Sequence, residues 1–74
     1  MINPNTPIGQ LIQKETNETG YGVYDPEHCH LTVYFPNSDD EQRRRLMLKI
    51  RWHIDLCGLY ASFEKITIIN LFTE

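Results

Sequence analysis

The sequence predicts a small α+β domain, a single-layer mixed β-sheet of three or four strands (ββαβ or βββαβ) covered by one long α-helix. Three observations lead there. A helix-forming run from Asp39 to Cys57 has a start signal before it and Gly58 after it. Two segments rich in β-branched and aromatic residues flank it, His30–Phe35 and Lys65–Phe72. A further short apolar segment, Tyr21–Tyr24, precedes them across a turn-forming tetrapeptide. The chain has 74 residues, 41% of them hydrophobic, enough for one sheet-plus-helix layer. One small domain spanning 1–74 is expected.

Residues 8–16 read in two ways. Thr6-Pro7 suits the start of a helix, with Ile8, Leu11 and Ile12 on one side, but Gly9 weakens it. The alternative is an edge strand turning at Asn17-Glu18-Thr19-Gly20 into Tyr21, and that meander is favoured. Tyr21–Tyr24 and residues 30–35 then pair as a hairpin through Asp25-Pro26-Glu27-His28, which has Pro at the second turn position. In the second strand Leu31, Val33 and Phe35 share one face, and His30, Thr32 and Tyr34 the other.

The long helix, 39–57, is expected to start at an Ser38 N-cap, with Glu41 three residues on completing a capping box. Asp39, Asp40 and Glu41 also complement the helix dipole. Gly58 suits the left-handed residue that ends a helix. A strand–helix–strand connection of this length favours parallel pairing of the strands near 30–35 and 65–72. The helix then covers Leu31, Val33, Phe35, Ile66 and Ile68.

At about 100° per residue, Leu46, Met47, Ile50, Ile54 and Cys57, flanked by His53, form a sheet-facing stripe. Leu48, Trp52, Leu56 and Leu59 form a second stripe on roughly the opposite side. Only Arg44, Arg51 and Asp55 make an uninterrupted polar strip between the two. A helix apolar over most of its circumference needs cover on more than one side. Either the N-terminal segment folds back over the second stripe, or another chain covers it. The second option is favoured, because the far sheet face, with Tyr34, Thr67, Ile69 and Leu71, competes for the same N-terminal residues. The expected interface is Leu48, Trp52, Leu56 and Leu59, rimmed by Arg45, Lys49 and Arg51, a composition common at binding hot spots. The expected partner is a second copy of the chain, a different protein, or both.

Ten acidic and seven basic residues give a net charge of −3, which is not the balance of a dedicated nucleic-acid binder. Arg43, Arg44, Arg45, Lys49 and Arg51 do concentrate five of the seven bases. A nucleic-acid module using Arg43, Arg44, Lys49 and Arg51 is therefore one alternative. Against it, Asp39–Arg43, Asp40–Arg44 and Glu41–Arg45 are spaced as i,i+4 pairs in the favourable order, with Arg51–Asp55 in the reverse order.

His28, His30, His53 and Cys57 suggest a second alternative, a zinc-binding protein. His53 and Cys57 lie one helical turn apart, and His28 and His30 share strand parity. No C-x2-C or H-x3-H element is present, however, and parity turns His30 away from the helix. Cys57 is better read as a small buried hydrophobe. Cys29, between His28 and His30, lacks a readable orienting group or oxyanion hole, so no catalytic residue and no cofactor are expected.

No basic n-region or long apolar run opens the chain, and the two cysteines read as reduced thiols, so a cytoplasmic protein without a membrane span is expected. The expected function is that of a small non-enzymatic binding or regulatory protein, acting through the apolar aromatic helix face. Short chains that act by occlusion are the kind of product that accessory inhibitors of mobile elements tend to be.

Overall fold

Alternation of side chains along two strands creates the surface on which this protein folds. In the computed structural model, which describes residues 1–71, the elements run α1 (Pro7–Glu15), β1 (Tyr21–Asp25), β2 (His30–Tyr34), α2 (Asp40–Cys57) and β3 (Lys65–Ile69). The sheet order is β1-β2-β3, with β1 and β2 antiparallel and β2 and β3 parallel. In that register Leu31 lies beside Ile66 and Val33 beside Ile68. These residues, with Phe35, form the floor beneath α2, whose Leu46, Ile50 and Ile54 are buried against it. The predicted α+β class, the mixed sheet and the elements from β1 onward are what forms. The third strand, expected to reach Phe72, ends at Ile69, with Asn70 and Leu71 beyond it; Phe72 lies outside the described residues.

The N-terminal segment is a helix and not the favoured edge strand. Thr6 caps it, its Oγ1 accepting the Gly9 amide at 3.1 Å, and Pro7 opens its first turn. Ile8 and Ile12, one turn apart, are buried in the core. Gly9 is required inside this helix because a Cβ there would collide with the Asn3 carbonyl and come within 2.8 Å of Pro4 Cα. Among the described residues the sheet therefore has three strands and is covered by two helices rather than one. At the end of α1, buried Thr16 donates to the Ile12 carbonyl at 2.7 Å and accepts the Gly20 amide at 3.0 Å, which directs the chain into β1.

The start of α2 also differs from expectation by one residue. Asp39, not Ser38, is the N-cap; it accepts the Gln42 amide at 2.8 Å, while the Gln42 side chain accepts the Asp39 amide at 2.9 Å. Ser38 is buried and donates to the Phe35 carbonyl at 2.8 Å, so its hydroxyl serves the strand end and not the helix. Gly58 ends α2 at φ 64°, and the Leu59 amide reaches back to the Ile54 carbonyl at 3.0 Å. Cys57, the last residue of α2, is exposed to solvent, and the reversal at Gly58 turns Leu59 inward against the core. Both reverse the assignments made by continuing the helical wheel to the end of the run. Farther on, Tyr24 donates to the Ser62 carbonyl at 2.5 Å, and its ring lies 5.2 Å from that of Phe63, pinning the 58–64 loop to β1. Partial burial is the main cause holding the Tyr24 hydroxyl above the ordinary phenol range, with the neighbouring Cys29 adding to it.

Candidate functional site

Once Leu46, Ile50 and Ile54 face the sheet, the geometry of a helix forces Leu48, Trp52 and Leu56 outward. They are 61%, 68% and 72% exposed. The N-terminal segment does not cover them. Pro7 and Ile8 share a cavity wall with His53 and Cys57, while Glu15 meets Lys49 at 2.8 Å, so α1 runs antiparallel to α2 and beside it. The two helices form the walls of an open groove of about 670 Å³, with Pro7, Leu11, Leu48, Trp52 and Leu56 as its apolar lining. Lys14, Arg45 and Lys49 also line it, and among the described residues no acidic one does. A smaller cavity of about 330 Å³ adjoins at His53, enclosed in part by Ile2, Leu59 and Phe63.

Of the expected interface residues, Leu48, Trp52, Leu56, Arg45 and Lys49 are thus brought to one surface, and Leu59 is not. Pro7, Leu11 and Lys14 belong to the same surface and were missed. Reading 8–16 as a strand hid them, although the Thr6-Pro7 cap and the Ile8, Leu11, Ile12 spacing were the available signal.

The basic residues divide by what they touch. Arg43 donates to the Ser38 carbonyl at 2.5 Å and to the Ser38 hydroxyl at 3.0 Å, and pairs with Asp40. Arg45 pairs with Glu41 at 3.3 Å, as the spacing predicts. The expected Asp39–Arg43 and Asp40–Arg44 pairs do not form, because Asp39 is the cap and Asp40 is taken by Arg43. Asp55 does not pair with Arg51 either: its Oδ1 accepts the Tyr60 hydroxyl across the Gly58 turn. This hydrogen bond is the main cause that raises Tyr60 above the ordinary phenol value, with burial and the carboxylate charge adding to it. Among the described residues Arg44 and Arg51 have no ion pair. Within the proposed nucleic-acid set, Arg43 and Lys49 are engaged inside the chain, and Arg44 and Arg51 are not.

The four residues of the metal alternative do not converge. His28 lies in the β1–β2 turn rather than on a strand face, and its Nδ1 contacts Asp25 Oδ2 at 2.7 Å. His30 Nε2 contacts Thr67 Oγ1 at 2.8 Å on the sheet face away from the helices. His53 Nε2 and Cys57 Sγ stand 3.9 Å apart at the end of α2. Among the described residues the one group of three or more ligand types close enough to share an ion is Asp25, Glu27 and His28, at the end of β1 and in the turn after it. The hydrogen bond from His28 is the leading cause holding the Asp25 carboxyl below the ordinary carboxylate range.

No described helix is long and apolar enough to cross a membrane. Comparison of the chain with protein-family models, with curated proteins and with solved structures finds no match.

Proposed function

We propose that this is a non-enzymatic cytoplasmic protein-binding or regulatory protein that docks partners on the outer face of α2 and occludes or couples them there. The observation that supports this reading most directly is the exposure of Leu48, Trp52 and Leu56, at 61%, 68% and 72%, on a chain of this size. Single exposed apolar residues are ordinary, but a contiguous aromatic and aliphatic stripe beside an apolar groove marks an interaction surface. Leu11 and Pro7 extend the same surface onto α1. Lys14, Arg45 and Lys49 supply the polar rim that such interfaces carry.

The test is binding by the wild type and by Trp52→Asp, measured as self-association by light scattering and as capture of partners from the native host. Trp52→Asp should lose association on both measures while keeping its thermal midpoint, because the indole contributes little to the core. Association that survives Trp52→Asp, Leu48→Asp and Leu56→Asp unchanged removes the reading.

A further inference from the structure

We propose that the occupant of the α2 face is a second copy of this chain, packed antiparallel with Trp52 on the twofold axis. This rests on the reading of that face as a docking surface and names what fills it. A twofold interface must be its own complement, each residue meeting its counterpart's reciprocal position. The stripe satisfies this. Leu48 and Leu56 lie about 6 Å to either side of Trp52 along the helix, at 1.5 Å per residue. In the antiparallel arrangement each Leu48 meets the partner's Leu56, and the two indoles meet at the centre.

The charges are self-complementary in the same sense. Arg51 and Asp55 are both exposed and lie on one flank of the stripe, separated by about 40° on the helical wheel. Inside the chain they do not pair, since Asp55 Oδ1 is held by Tyr60 and Arg51 has no ion pair among the described residues. A twofold axis perpendicular to the helix places each flank against the same flank of its mate. Arg51, about 1.5 Å before Trp52, then stands nearly level with the partner's Asp55, about 4.5 Å beyond its own Trp52. Two reciprocal ion pairs follow, with Asp55 Oδ2 as the acceptor not used by Tyr60. On the opposite flank Arg45 and Lys49 already have Glu41 and Glu15, so they approach the mate as neutralised pairs whose aliphatic stems rest on apolar surface. An acidic helix from another protein has fewer unanswered charges to meet, because two of the groove's three cations are already paired.

Molar mass by sedimentation equilibrium, from low micromolar to millimolar chain, tests this directly. The wild type should rise from 8.7 kDa toward twice that value. Trp52→Asp should remain monomeric with its circular dichroism unchanged. Arg51→Asp and Asp55→Arg should each raise the dimer dissociation constant by about tenfold or more, since each substitution acts twice in a twofold interface. The Arg51→Asp/Asp55→Arg double variant should return it to within about threefold of wild type. Tyr60→Phe, which removes only the internal bond to Asp55, should leave it there too. A wild type that stays at 8.7 kDa through millimolar concentration overturns pairing between copies while leaving the face open to a partner of another sequence. Folded single reversals that the double variant does not rescue overturn the antiparallel register. Trp52 is the chain's one tryptophan, so its emission isolates this face. A blue shift with phosphatidylserine vesicles, absent on raising the protein concentration, makes the occupant a lipid surface and also overturns the proposal.

Discussion

Gly9 illustrates how one residue can invert a propensity rule. In an exposed helix, replacing Gly by Ala is worth about 1 kcal/mol of stability. Here the added Cβ would meet the Asn3 carbonyl and approach Pro4 Cα at 2.8 Å, and both neighbours are backbone. Gly9→Ala should therefore destabilise the protein, by about 1–3 kcal/mol in line with other overpacked sites, in chemical denaturation. A stabilised variant would show that the 3–6 turn yields freely. At Asp25, the His28 hydrogen bond favours the charged carboxylate in the folded state. The sign follows from linkage: a depressed folded-state value contributes stability above the unfolded carboxylate range, and this is lost as the pH falls through the folded value. His28→Ala should shift the Asp25 carboxyl midpoint, followed by NMR, upward toward its ordinary value. No upward shift would mean that the backbone bonds from Glu27 and residue 28 set it.

At the scale of elements, α2 was legible because many independent signals agree along it: acids first, no breaker for eighteen residues, and Gly at the end. Its outward stripe was legible for the same reason, since Leu48, Trp52 and Leu56 lie within a regular helix. Leu59 was misplaced because the wheel was carried past Gly58, where the left-handed turn redirects the chain. The strand order was accessible from the turn-forming tetrapeptide after Tyr24 and the helical connection between β2 and β3, whereas α1 was missed although the Thr6-Pro7 cap and the Ile8, Leu11, Ile12 spacing pointed to it, because Gly9 counts against a helix until its contact with Asn3–Pro4 is known. The cap was ambiguous because Ser38-x-x-Glu41 and Asp39-x-x-Gln42 are both plausible boxes, and the bond of the buried Ser38 hydroxyl to the Phe35 carbonyl decides between them. Asp39→Ala should accordingly cost about 1 kcal/mol in denaturant unfolding, and Glu41→Ala no more than the few tenths lost with its exposed Arg45 pair. Equal losses for the two would return the cap to Ser38.

For the whole molecule, placing both helices on one sheet face makes a two-layer structure whose two sheet surfaces differ in role. On the covered side Leu31, Val33 and Ile66 are buried beneath Ile12, Leu46, Ile50 and Ile54. On the other side the rows Tyr21–Tyr34–Ile69 and Val23–Thr32–Thr67 face away from both helices. That side protects itself in part: the Tyr21 and Tyr34 rings stack at 5.0 Å, and His30 bonds Thr67. It therefore tolerates water in a way the covered side does not, and substitution energies should divide accordingly. Ile50→Ala, opening a cavity at a fully buried site, should cost about 2–5 kcal/mol, whereas Ile69→Thr on the open face should stay within about 0.5 kcal/mol. The comparison also separates the sheet from α2 as a contact surface. Ile69→Thr should leave the wild-type mass distribution unchanged at every concentration where Trp52→Asp abolishes association. If Ile69→Thr instead dissociates the protein and Trp52→Asp does not, chains meet through the sheet, and the exposed stripe on α2 is not the element that joins them.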